Sequence, residues 1–420
     1  MSKNRQKSIK AYRLGVLLVA LFIVSLMALY IGFPNLGTFR YEGQIISATT
    51  TTPIIETGRQ ATHVSTPEAV KGIYMTSCVA ATPSLRNNLV KLIDETELNT
   101  VVIDIKSYDG HISFMPSDET LKSAVGGCFV KDMQDFIDEL HNHNIYVIAR
   151  LAVFQDHLRV KLFPEMAVKK ASATTTAWTD FKGISWIDAS DRSHWDYTVA
   201  LALEANAIGF DEINFDYIRF PADGNMRDIW YPESGTQKKS DVMRSFYQYL
   251  HESLSPKGIV TSADLFGMTT TNTDDLNIGQ ILENTLPYFD YIAPMVYPSH
   301  YPPTFMNIGD PNSHVYEVVK ISMDRAVART IATTTTVALP DARIGTTTPA
   351  IYSKPEFNRN KMRPWLQDNN YPVPYTSEMV RAQIQATYDA GLNSWMLWNA
   401  GNRYTRSALI PETTKITETN

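Results

Sequence analysis

The feature that most constrains this chain is a rhythm. Eight short apolar runs, at 71–77, 100–107, 145–154, 210–220, 259–267, 291–298, 361–367 and 394–400, alternate with longer amphipathic stretches. The runs favour β-branched and aromatic residues, as strands do. Between them, 84–97 places Leu85, Leu89, Leu92 and Ile93 on one helical stripe, and 130–143 does the same with Met133, Phe136, Ile137 and Leu140. The stretches 196–208, 241–254, 314–330 and 377–391 repeat the pattern. Asn99, Asn144, Gly209, Gly258 and Asn393 stand just ahead of strands, where an αβ turn needs a helix-ending residue. Eight such units predict a (β/α)8 TIM barrel over 69–408. A doubly wound open sheet is the competitor. It is weakened because no Gly-x-Gly-x-x-Gly follows the first strand and because polar residues end many different strands. The segment 299–360 exceeds an ordinary βα connection and predicts an insertion or lid besides a helix.

The N-terminus reads differently. Lys3, Arg5, Lys7, Lys10 and Arg13 make 1–13 a basic flank, followed by the uncharged "LGVLLVALFIVSLMALYIGF" at 14–33. A helix of that length spans about 30 Å of hydrocarbon, which predicts a transmembrane signal anchor. The basic flank then stays in the cytoplasm and the bulk of the chain is carried across. A cleaved signal peptide is the rival, but "GFPNLGTFRY" offers no small-x-small site. The expectation is a single-pass cell-membrane protein with an extracytoplasmic domain, secretion being the alternative. Residues 34–68 read as a Thr-rich linker and 409–420 as a tail. An oxidising compartment favours a bond between Cys78 and Cys128, the two cysteines of the chain. A net charge of −6 over 420 residues lacks the basic footprint of nucleic-acid binding. His111, His300 and His314 show no metal-ligand spacing, and neither metal nor cofactor is expected.

In a barrel the chemistry gathers where strands end. Strand 2 ends with Asp104 and Lys106, strand 3 with Arg150 and then Gln155, Asp156 and His157, and strand 4 with Asn214, Asp216 and Arg219. Strand 5 offers Asp264, strand 6 Tyr297 and His300, strand 7 Arg363, Trp365 and Gln367, and strand 8 Trp395, Trp398 and Asn399. Asp216 and Asp264 end neighbouring strands, so their carboxyls can flank one bond of a ligand. Glycoside hydrolysis needs such a pair, one protonating the leaving oxygen and one attacking or activating water. A cation beside one of them would push their acidities apart and assign the roles. The expected roles are Asp216 as nucleophile or base and Asp264 as general acid. Asp104, Lys106, Arg219 and Tyr297 would give electrostatic support, and Trp365, Gln367, Trp398, Asn399 and His300 would contact sugar. Plainer readings stand beside these. Asp104 and Lys106 can satisfy each other, and Arg219 can simply neutralise Asp216. Glu212 fits a structural network at the barrel base, Asp211 should face solvent, and His141 and His143 suit a surface helix end.

Seven motifs in order, "KGIYMTS", "TVVIDIKSYDGHISF", "GFDEINFDYIRFP", "SADLFG", "YIAPMVYPSHY", "RPWLQD" and "SWMLWNA", resemble the putative glycoside hydrolase domain family. That family is catalogued as a domain of unknown function and is related to the α-amylase-like TIM-barrel glycosidases. The resemblance covers roughly 70–405 and implies a (β/α)8 fold acting on carbohydrate, with the family's strand-4 acid at Asp216 and strand-5 acid at Asp264. The amylase-like pattern usually has Glu on strand 5 and an acid after strand 7. This chain departs from it, with Asp264 and with Gln367-Asp368. The expected activity is hydrolysis of a cell-envelope or extracellular polysaccharide. The alternative is a non-catalytic carbohydrate-binding or envelope-organising protein. A lyase or deacetylase is a further rival, though a deacetylase wants a metal-binding His/Asp set.

Overall fold

The computed structural model describes residues 61–337 and 350–412. The predicted anchor at 14–33, its basic flank and most of the linker lie outside them. Among the described residues no helix is long and apolar enough to cross a membrane.

All eight expected strands form. They are β1 (Lys71–Met75), β2 (Thr100–Lys106), β3 (Tyr146–Ala152), β4 (Glu212–Asp216), β5 (Val260–Phe266), β6 (Tyr291–Val296), β7 (Trp365–Gln367) and β8 (Trp395–Trp398). Each pairs in parallel with its sequence neighbours, and β8 pairs back onto β1, closing the barrel. Each connection between successive strands carries a helix, α1 (Pro83–Asp94), α2 (Met133–Asn142), α3 (Arg192–Ala207), α4 (Lys239–Leu254), the short α5 (Leu282–Thr285), α6 (Val315–Ile331) and α7 (Ser377–Asp389), with further short α-helices at Ser77–Ala80 and His157–Leu162. After β8 the described chain makes only a one-turn 3-10 helix, Arg406–Ala408. The long segment before β7 carries α6 and then an antiparallel hairpin of Thr334–Val337 with Ala350–Ser353.

Strand alternation divides the core in two. Val101, Ile103 and Ile105 of β2 join the apolar layer shared with the helices, while Val102 packs inside the barrel with Tyr74, Tyr146, Ile148, Tyr297, Trp365 and Met396. Beneath that plug, Glu212 accepts from Arg363 at 2.8 Å and from the Tyr146 hydroxyl at 3.1 Å, forming the basal network its parity predicts.

Asp211 corrects its expectation. It is buried, accepting from the Val64 and Val147 amides at 2.7 and 2.8 Å and contacting His141 at 3.0 Å. Despite burial, the hydrogen bonds of His141, His63 and Val147 hold its carboxyl below the ordinary range. Asp211 and His141 therefore fasten the segment around Val64 beneath the barrel, and Thr66 adds a hydrogen bond to Tyr146 at 3.0 Å. The packed structure thus begins ahead of the expected boundary at 69. At the other end it runs past 408, where Ile410 and Glu97 exchange hydrogen bonds and Thr96 bridges to Pro411.

Candidate active site

The mouth is organised around Arg150. Its Nη1 pairs with Oδ1 of Asp104 and its Nη2 with Oδ2 of Asp216, while Nε lies 3.8 Å from Oδ2 of Asp264. Strand register explains the convergence, because β3 lies between β2 and β4, with Arg150 opposite Asp104 on one side and Asn214 on the other. All four side chains face the interior, with Asp104, Arg150, Asp216 and Asp264 each at most 5% exposed. The Tyr74 hydroxyl donates to the second oxygen of Asp104. Trp398 stacks on Tyr74, ring centroids 4.1 Å apart, and the guanidinium lies 5.2 Å from the Trp398 ring.

Three buried carboxylates on one cation carry excess negative charge, and burying charge without a partner is costly. Protons answer it. Burial, then the charge of Asp216, push the Asp264 carboxyl well above the ordinary carboxylate range against the pull of Arg150. Burial also raises Asp104, outweighing Arg150 and Tyr74. Burial alone would weaken the Arg150 charge, but Asp104 and Asp216 more than compensate, and its guanidinium is held firmly protonated.

Asp216 and Asp264 differ in their hydrogen bonds. Oδ1 of Asp264 accepts from Asn214 Nδ2 and from Trp365 Nε1, both at 2.9 Å, which leaves Oδ2 to carry a proton. Asp216 takes the ion pair, and its Oδ1 accepts from the Tyr217 amide at 2.6 Å. Tyr217 has φ +52, a left-handed backbone that a bulky residue rarely adopts, and this turn ends β4 one residue after Asp216. Because one oxygen of each carboxylate approaches the same planar guanidinium, those two oxygens lie no more than about 9 Å apart, which does not exceed the widest separation used by two-carboxylate glycosidases.

Several expected partners sit elsewhere. Lys106 does not serve Asp104. A register shift in β2 separates the two, and Lys106 pairs with buried Asp156 at 2.8 Å and donates to the Ala152 carbonyl. Among the described residues Arg219 makes no ion pair with Asp216, a place that Arg150 holds, although the charge of Asp216 still acts on it. The Arg219 guanidinium packs over Trp186 and Phe266 at 4.8 and 4.6 Å and donates to the Phe220 carbonyl at 3.1 Å. Trp365 is fully buried and serves Asp264 rather than presenting a face. Gln367 is also fully buried, accepting from the Ser299 amide at 3.2 Å and donating to the Tyr371 carbonyl at 2.7 Å. Asn399 braces its own turn, donating to the Arg403 carbonyl and accepting from the Gly401 amide at 2.8 Å. Trp398, Tyr297 and His300 form a run of neighbouring rings, with Tyr297 5.5 Å from His300 and 6.3 Å from Trp398. Cys78 and Cys128 are joined by a disulfide across 50 positions, tying the first two βα connections.

Residues 72–404 match the family described as "Putative glycosyl hydrolase domain". This chain belongs to that family. The match takes in every barrel strand but the first residue of β1, and family membership identifies the barrel as a glycosyl hydrolase domain of that description. No curated protein matches it. Among solved structures, it resembles the PgaB (BpsB) glycoside hydrolase domain of Bordetella bronchiseptica at 12% identity and a TM-score of 0.54, over 80% of this chain and 95% of that one. That likeness shows the fold. A hypothetical protein of Ruminiclostridium thermocellum ATCC 27405 is 30% identical over 46% of this chain and 96% of its own, with a TM-score of 0.42.

Proposed function

We propose that the domain cleaves a cell-envelope or extracellular polysaccharide with Asp264 as general acid and Asp216 as nucleophile or base, outside the cytosol and held by the segment at 14–33. The observation that carries the mechanism is the unlike environment of two carboxylates on one guanidinium. Asp216 is ion-paired with Arg150, whereas Asp264 is pushed toward its protonated form with Oδ2 free to donate. Protonation of the glycosidic oxygen by Asp264 would accompany attack by Asp216, or by a water it activates, on the anomeric carbon. Arg150 would stabilise the charge as it passes from Asp216, neutralised by the ester bond or by the proton of the activated water, to Asp264, which has given up its proton. The disulfide supports an oxidising compartment.

The alternative, a carbohydrate-binding protein without turnover, draws on the ion pair of Asp216, which ties up one of its oxygens. One experiment separates the two. Asp264→Asn and Asp216→Asn should each lower reducing-end release from a cleavable polysaccharide by roughly 100- to 10,000-fold. Unchanged release in either variant sinks the assignment. The acid must hold its proton, so activity should fall as pH rises through the raised pKa of Asp264. The alkaline limb of kcat/KM should therefore lie above the ordinary aspartic range, near about 4.

A further inference from the structure

Of the exposed aromatic rings in the βα connections, Phe181 at 81% and Tyr371 at 59% stand furthest into the water, ahead of Tyr108 and Trp230. Neither is on a loose loop. Phe181 tips a hairpin in the β3–α3 connection, where Thr179 bridges to Ser185 and Gly183 turns the chain at φ +78. Buried Asp180 locks that tip, accepting from the Lys182 and Ile184 amides at 3.0 Å each, from Gln155 at 2.8 Å and from the Trp186 indole at 3.1 Å. Tyr371, in the β7–α7 connection, is fixed through its carbonyl by Gln367. A buried carboxylate with four donors is a costly way to hold a surface turn. What it fixes is the backbone of the turn that carries Phe181.

The rings also continue the site. From Arg150 the path runs to Trp398, then Tyr297, then His300, and the His300 ring lies 6.5 Å from that of Tyr371. The hairpin belongs to the β3–α3 connection, at the same end of the barrel as the β6–α6 connection that carries His300. Polar Lys182 and Asn370 lie beside Phe181 and Tyr371 in sequence, and Ser299 beside His300. A protein partner wants a contiguous apolar patch. Isolated flat rings among hydrogen-bonding groups match the alternating C–H faces and hydroxyls of pyranose units.

We propose that Phe181 and Tyr371 are stacking platforms for sugar units of a polymeric glycan lying beyond the bond at Asp216 and Asp264. The substrate class is then a chain of several sugars rather than a small glycoside. The inference rests on reading the mouth as a glycan site, and its test does not require turnover. The full chain carrying Asp216→Asn and Asp264→Asn is run through native gels cast with soluble starch, hydroxyethyl cellulose, glycol chitosan or polygalacturonate. At least one polymer should retard it. Adding Phe181→Ala and Tyr371→Ala should weaken that affinity about tenfold, while Ile410→Ala, at the opposite face, should not. Both rings are exposed, so circular dichroism should show an unchanged fold. Equal retardation with and without the rings, or retardation by none of the four polymers, overturns the proposal. A parent protein that is retarded yet releases no reducing ends would sink the hydrolytic reading alone. One that cleaves a polymer whose retention ignores the rings would sink this inference alone.

Discussion

Arg150 sets the electrostatics of the mouth, and removing it is the sharpest test at the level of a residue. Arg150→Met leaves Asp104 and Asp216 buried without their cation, which should cost about 3–5 kcal/mol at neutral pH. The loss should shrink as pH falls, because protonating the stranded carboxyls removes the uncompensated charge. Urea unfolding at pH 7 and pH 4 checks this, and an equal loss at both would contradict it. The carboxylates themselves were legible in the sequence, since parity along β2, β4 and β5 sends Asp104, Asp216 and Asp264 inward. Their shared partner was not. Lys106 and Arg219 are two and three positions from an acid, whereas Arg150 is a strand away and meets Asp104 only through the register of β2 with β3. Tyr74 escaped for the same reason: nothing local to "KGIYMTS" reveals that its hydroxyl reaches a carboxylate on the next strand.

Elements were the most legible level. Apolar runs and helical stripes are local patterns, and the observed strands and main helices fall where those patterns stand. The ends of elements were less so. β4 stops at Asp216 rather than running on to 220, because Tyr217 leaves the extended region. β7 ends beside a measurable proton site. Asp368, just past Gln367, accepts from the Thr405 amide at 2.8 Å and its hydroxyl at 2.6 Å, and burial lifts it to about 6 despite them. The folded protein therefore holds this proton more tightly than the unfolded chain, whose aspartates titrate near about 4. Stability should decline as pH rises from about 4 to about 6 and level off above, by an amount on the order of 2 kcal/mol. Asp368→Asn should flatten that part of a pH series of thermal melts; a decline of the same size would exclude Asp368 as its source.

Over the whole molecule, closure of the barrel makes β1 and β8 neighbours although they are more than 300 positions apart in the chain. Such a topology gains from any link that shortens the search in the unfolded state. The Cys78–Cys128 bond does this for the first two units, and a loop of that size should contribute about 4 kcal/mol. Replacing both cysteines with Ala should lower the urea midpoint, and a reductant should bring the wild type to the same value. A midpoint indifferent to reductant would remove the bond from the account.

The fastening of Val64 by Asp211 and of Ile410 by Glu97 places both outgoing ends of the described chain on the face where the strands begin. The carboxylates open at the other end. A tether, an affinity tag or a fused domain joined at either end would therefore attach behind the barrel. A chip or resin coupled through either end of the described chain would present every molecule with its mouth free.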